Sequence, residues 1–375
     1  MEKIMEDIPD GKKSKRFAVL VNIGGELELL GISAMDHGSA EAQNKALVAQ
    51  LVDNDLIDNV RGLCFDTTAT NTGRLSGTNI RFSRRQDDIL LELACRRHVF
   101  ELHIKHFLEH ISTGKTLAPN NQLFKCFQKE WNNLKDEIDL SKLSRFDVKA
   151  VRGTFLETKV LESIQFCKIA LKTEVFPRGD YTELLELTLM YLSPESSFKI
   201  RAPSSVSHAR FMAKAIYYLK IQILHPQLTY EVTPVEQKEI SRMAEFVSIF
   251  YSVWFLRTSL PSAAPYQDIK AFWQMTRYKR YIEIHQPESE RVIDGIEGIL
   301  DSMRKHAWYL DQTLVPLALL DPDIDEKERE DMAKKLYSLP VPNKFKHTEK
   351  RDLLEDLDFN CDKPPSLLPL IGENS

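Results

Sequence analysis

The sequence predicts an α+β protein, with a short β-rich unit followed by a large all-helical region. Three observations predict it. Two β-rich runs, Arg16 to Asn22 and Glu26 to Ile32, flank Gly24-Gly25, a hairpin signal. Two further apolar runs, Val60 to Phe65 and Ile89 to Cys95, are separated by a segment of helical character. From Gln122 onward, apolar residues recur at helical spacing between regularly placed prolines.

Taken in order, residues 1–15 are charged and are expected to be disordered. After the hairpin, Ser39 is placed to cap a helix over Ala40 to Asp53, in which Ala46, Leu47, Ala49, Leu51 and Val52 supply the apolar stripe. A helix over Thr72 to Phe82 and another over Val99 to Ile111 complete the order hairpin, helix, strand, helix, strand, helix. Two strands joined through a helix should pair in parallel. The later helices are expected at Leu123 to Leu134, Thr154 to Lys172, Tyr181 to Leu192, Ser207 to Leu224, Pro234 to Leu256, Ile269 to His285, Val292 to Leu319 and Lys327 to Leu336. The resulting division is 1–15, 16–121, 122–338 and a flexible tail, 339–375.

The chain has 375 residues, enough to bury a sizeable core. Its formal net charge is -5, so contact with nucleic acid must come from local basic patches. Five dispersed cysteines without C-x-x-C pairing point to a reduced, intracellular protein. The first residues hold no apolar core of signal-peptide length, and the longest apolar window, Phe246 to Leu256, is too short to span a membrane.

The candidate chemistry centres on VRGLCFDTTATNTG, Val60 to Gly73. A strand ending on Asp66 puts a carboxylate at a sheet's carboxyl edge, where open sheets bind ligands and metals. Two-metal chemistry needs several such carboxylates converging on Mg²⁺ or Mn²⁺. The competing reading makes Asp66 an Asx-turn residue that caps the following helix. Cys95-x-x-His98 is half of a zinc signature, and His103, His106 and His110, which lie together on one helical face, could complete a site with His98. A solvated histidine face is the simpler account of those three. Ser112 to Thr116 imitates a phosphate loop but lacks its first glycine, and no nucleophile motif occurs.

Among basic groups, Lys12 to Arg16 is a cluster of nuclear-import type. Arg74, Arg81, Arg84, Arg85, Arg96 and Arg97 flank the Asp66 edge and form a candidate phosphate-contacting face. Trp273, Arg277, Tyr278, Lys279, Arg280 and Tyr281 interleave aromatic and basic groups, either as a stacking surface for nucleic acid or as an ordinary amphipathic helix.

FDTTATNTG followed by CRRHVFEL resembles the core of hAT-superfamily transposases, and HARFMAKAIYYLKI (His208 to Ile221) is similar to their later Arg-aromatic helix. The resemblance spans roughly Arg16 to Leu336 and is closest to transposon-derived animal proteins. It implies a partial RNase H-like mixed sheet with a helical insertion, Asp66 as the second of three catalytic acids, Asn71 in the acid-plus-Asn motif, and Cys95 and His98 as the C-x-x-H pair. It also implies a first acid on a central strand, for which only Asp7 and Asp10 are on offer, and a third after Val292, where nothing matches.

The expectation is therefore a transposase-derived protein, catalytically inactive as written and resident in the nucleus. It would retain contacts to DNA or protein. For the absent strand three readings stand open: a rearranged remnant, a homo-oligomer or partner chain that supplies a strand, or a truncated gene product. An active alternative, needing Mg²⁺ or Mn²⁺, would draw its acids from Asp7, Asp10, Glu326, Glu328, Glu330 or Asp331. A third reading is an intracellular helical scaffold.

Overall fold

The computed structural model describes residues 2–6, 13–73, 75–86, 90–112, 121–204, 211–339, 354 and 357–372. Of residues 2–6, 13 and 14 it gives the backbone path alone. The protein is α+β with a large helical region, as the sequence predicts.

Among the described residues the strands form two small sheets rather than one mixed sheet. Strand β1 (Glu2–Glu6), β2 (Lys13–Ile23) and β3 (Glu26–Met35) are antiparallel in the order β1-β2-β3. Gly24 and Gly25 turn the hairpin at φ +62° and +96°, values that favour glycine. The N-terminal stretch expected to be disordered thus includes a strand. Glu2 pairs with Phe17 and Glu6 with Lys13, so the ladder satisfies backbone that a charged sequence was expected to leave to water.

Helix α1 (Ala40–Asp53) starts where expected, with the Ser39 side chain accepting from Ala42 N–H. It lies on the first sheet, where Gln50 Nε2 donates to Ser33 Oγ at 3.0 Å. Strands β4 (Gly62–Phe65) and β5 (Leu91–Ala94) pair in parallel, as their helical connection requires. The single helix expected over Thr72 to Phe82 is split into α2 (Ala69–Thr72) and α3 (Thr78–Ser83), with Gly73 and Gly77 between them. Phe82, Leu51 and Leu90 form a small core joining α3, α1 and the second sheet.

The remaining helices are α4 (Arg96–Ile111), α5 (Gln122–Leu134), α6 (Phe155–Thr173), α7 (Gly179–Leu192), α8 (Ala213–Leu224), α9 (Pro234–Phe246), α10 (Ser252–Leu256), α11 (Ala264–His285), α12 (Glu290–Lys305) and α13 (Glu326–Ser338). Residues 207–210, the expected first turn of α8, lie outside the described residues. A capping box of Thr233 and Glu236 opens α9. One wide turn of π type, Val247–Tyr251, joins α9 to α10 without a break.

The boundary expected after residue 121 does not separate one core from another. Helix α4 sends Phe100, Ile104, Phe107 and Leu108 into the same apolar cluster as α6 to α12. Its axis comes close to α12 because Gly295 and Gly298 carry no side chain. A Cβ on Gly295 would sit 2.7 Å from the Phe107 ring, and one on Gly298 2.9 Å from His110 Cε1.

The helix expected over Val292 to Leu319 stops at Lys305. There the chain turns, Asp311 accepts from Thr313 N–H and Leu314 N–H, and Pro316 sits in the first turn of a 3-10 segment, Val315–Leu320. This turn region backs the second sheet: Trp308 meets Phe65 edge-on at 5.8 Å, and the Tyr309 hydroxyl donates to Ala94 O at 2.9 Å.

The tail expected to be flexible is packed over its described residues. Leu357, Phe359, Leu367, Leu370 and Ile371 are buried, and Trp273 Nε1 donates to Cys361 O at 2.8 Å. No helix among the described residues is long and apolar enough to cross a membrane.

Candidate functional site

Asp66 follows the last residue of β4, at the carboxyl edge of the parallel pair. Its Oδ1 accepts from Thr68 N–H at 3.1 Å, from the Thr68 hydroxyl at 2.6 Å and from Asn71 Nδ2 at 2.8 Å. The loop is therefore an Asx turn clamped from the far side by Asn71, the residue type and position singled out in the sequence. Partial burial pushes the Asp66 carboxyl up. The bonds from Thr68 and Asn71, with His98 nearby, outweigh it and leave the group below its usual value.

His98 reaches the loop from the first turn of α4, and its ring meets Phe211 edge-on at 6.4 Å. Burial pulls its pKa down while Asp66 opposes, and the net shift is downward. At neutral pH Asp66 is thus a carboxylate with a neutral imidazole within its electrostatic reach. Such a pair offers two ligands to a divalent cation, fewer than a two-metal site requires. Among the described residues, no three His, Cys, Asp or Glu side chains stand together as a metal group.

Gly77 sets the shape of this loop. Its N–H donates to Gly73 O at 2.7 Å, and a Cβ there would lie 2.6 Å from both Asn71 O and Gly73 N. These are backbone atoms with nowhere to go. Gly77→Ala should cost about 1–3 kcal/mol in urea unfolding, through displacement of Asn71. An unchanged midpoint would show that the loop tolerates the crowding.

The other sequence candidates separate. Cys95 caps α4 without a side-chain cap bond, and its thiol, second to burial, pushes the neighbouring Cys64 thiol up. His103 is buried rather than solvated, with Nδ1 3.1 Å from Ser302 Oγ. His106 and His110 are tied to Glu109 and to the His106 carbonyl.

Arg96 and Arg97 leave the proposed phosphate face. Arg96 is buried, donating to Gln267 at 2.9 Å and to Asp268 at 2.7 Å. Arg97 lies over the Tyr181 ring at 4.9 Å and donates to Thr258. Arg81 and Arg84 brace the loop by donating to Ser76 O and Leu75 O, and Arg84 and Arg85 are exposed. Arg74, Asp7 and Asp10 lie outside the described residues.

On α11 the aromatic side chains face inward. Trp273, Tyr278 and Tyr281 are buried, while Lys279 pairs with Glu283 and Glu297 and Arg280 is exposed. That is the ordinary amphipathic helix of the two alternatives. The C-terminal acids are also placed: Glu328 accepts from Ser366 and Leu367, and Glu330 and Asp331 lie beside Lys334.

One residue carried no signal in the sequence. Glu101, one turn beyond His98, accepts from Met212 N–H at 2.7 Å and from the Tyr251 hydroxyl. Met212 has φ +66°, a left-handed conformation unusual for a residue with a Cβ, and the Glu101 carboxylate holds its amide there. Its partners are over a hundred residues away, so local pattern could not reveal it. No family model, curated protein or solved structure matches the chain.

Proposed function

We propose that the chain is a transposase-derived protein of hAT type, built on a reduced RNase H-like unit, which contacts DNA in the nucleus without cutting or joining it. The observation that carries this reading is the Asp66 loop. A carboxylate at the carboxyl edge of a parallel strand pair, preceded by an antiparallel hairpin and faced by a histidine from the next helix, matches what the motif resemblance implies. The local bonding argues for the inactive form. Oδ1 is committed to Thr68 and Asn71, and among the described residues the titratable group that acts on it is the His98 imidazole. Contact with DNA would fall to Arg84 and Arg85, beside the loop that Arg81 braces.

The test is supercoiled DNA incubated with the full chain in Mg²⁺ or Mn²⁺, beside Asp66→Ala. The expected result is no nicking above that control, with salt-dependent binding. Replacing Arg84 and Arg85 by Ala should lower the slope of log K against log salt by about two, one for each phosphate no longer neutralised. Binding with no salt dependence, or none at all, would instead favour a helical protein scaffold.

A second reading is favoured by β1. It pairs antiparallel with β2 and ends at Glu6, and Asp7 follows in the sequence; the resemblance asks for a first acid on such a strand. Metal-dependent nicking that is lost in both Asp66→Ala and Asp10→Ala would establish that reading over the first.

A further inference from the structure

A cleft of about 510 Å³ opens within the helical region, between α6, the α9–α10 segment and α11, with Arg96 and Phe100 of α4 at its floor. That volume suits a small organic ligand. Its charge is uneven. Arg96 is answered by Asp268, and Lys159 by Glu162 at 2.7 Å, the acid that lines the cleft. Arg257 and Lys270 also line it, and neither side chain makes a hydrogen bond or ion pair with any described residue.

Arg257 is exposed, with its guanidinium carbon over the Phe166 ring at 4.9 Å, a cation–π contact that leaves its donors open. Lys270 is half-buried, and burial followed by the Arg257 charge holds its pKa below the usual lysine value, against the opposing pull of Glu162 and Asp323. Glu162, the acid of the lining, is paired with Lys159, so Arg257 and Lys270 leave an excess of positive charge in the cleft, where an added anion would be stabilised.

The remaining walls name the rest of the ligand. Trp254, Ile249 and Val253 make an apolar side, with Trp254 Nε1 fixed on Gln274 Oε1 at 2.8 Å. Gln165 lines the cleft and its side chain makes no hydrogen bond with a described residue, so its amide is open to a polar ring edge. From this we infer that the cleft binds a phosphate-bearing small molecule with a flat heterocyclic ring, of the size of a nucleoside diphosphate. Its phosphates would lie between Arg257 and Lys270, and its ring against Trp254. This site is separate from the Asp66 loop and does not depend on the function proposed above.

The test is calorimetric titration of the full chain with ADP, adenosine and inorganic pyrophosphate. ADP should bind saturably, with adenosine and pyrophosphate each at least tenfold weaker, and should raise the melting temperature in proportion to the logarithm of its concentration. Arg257→Ala and Lys270→Gln should each weaken ADP at least tenfold, while Lys279→Gln, on a distant ion pair, leaves it unchanged. If a cleft variant fails to fold, the thermal shift of the unaltered chain decides alone. Absence of saturable ADP binding at millimolar concentration, equal binding by folded variants, or a single-stranded oligonucleotide binding at Arg257 where ADP does not, each overturns the inference.

Discussion

Lys220→Met should lose about 3–5 kcal/mol of stability in chemical unfolding. Lys220 is fully buried on α8, and its Nζ stands 2.6 Å from Glu183 Oε1 of α7. It also donates to Arg201 O at 2.7 Å and Ala202 O at 3.2 Å. Removing the ammonium strands a carboxylate among apolar neighbours such as Leu184 and Leu187, and strands two carbonyls as well. Adding Glu183→Met should recover the carboxylate's share. The pair would then remain about 1–3 kcal/mol short of the parent, because the carbonyls still lack a donor. Equal losses in the single and double variants would mean that Glu183 was never dependent on Lys220.

Acid should destabilise the fold well above the carboxylate range, through His103. Burial, then the nearby His306 and His106, lower its pKa to about 3. The unfolded chain takes up a proton near the ordinary value of about 6.5, and the folded chain refuses it. The stability from the neutral ring is therefore intact above about pH 6.5 and is lost as pH falls toward 3. The loss runs at up to about 1.4 kcal/mol per pH unit. His98, His106 and His225 are also shifted down, so the contribution of His103 is read as a difference. His103→Gln should flatten the decline between pH 6.5 and 5 by roughly 2 kcal/mol. A parallel curve for the variant would place the acid sensitivity elsewhere.

Legibility in the sequence followed the range of the interactions. The Gly24-Gly25 hairpin, the Ser39 cap and the parallel β4–β5 pair were legible because turn chemistry, capping and strand order are written within a few neighbouring residues. Strand β1 was not legible, since EKIME has no apolar alternation and owes its form to the ladder on β2. Nor was the packed C-terminal stretch. Phe359 reaches the Phe272 ring at 4.5 Å across a segment rich in proline and charge.

At the candidate site, the Asp66–Asn71 clamp came from spacing inside one loop. The burial of Arg96 came from Gln267 and Asp268, more than 170 residues on, which no local window contains. A run of arginines reads alike whether it faces phosphate or an internal acid; only the fold distinguishes them.

The wide turn at Val247–Tyr251 has a geometric consequence for all that follows it. A π turn holds one residue more than a regular turn, so it advances the phase of the helix by about 100° without interrupting its axis. The rows set up by Ile240 and Met243 are thereby offset from those at the end of the turn and beyond it, where Tyr251 finds Glu101 and Trp254 finds Gln274. Shortened by a single residue, this rod would keep its length and ladder almost unaltered. It would present the wrong side of its second half, and the clasp on Glu101 and the apolar wall of the cleft would be lost together.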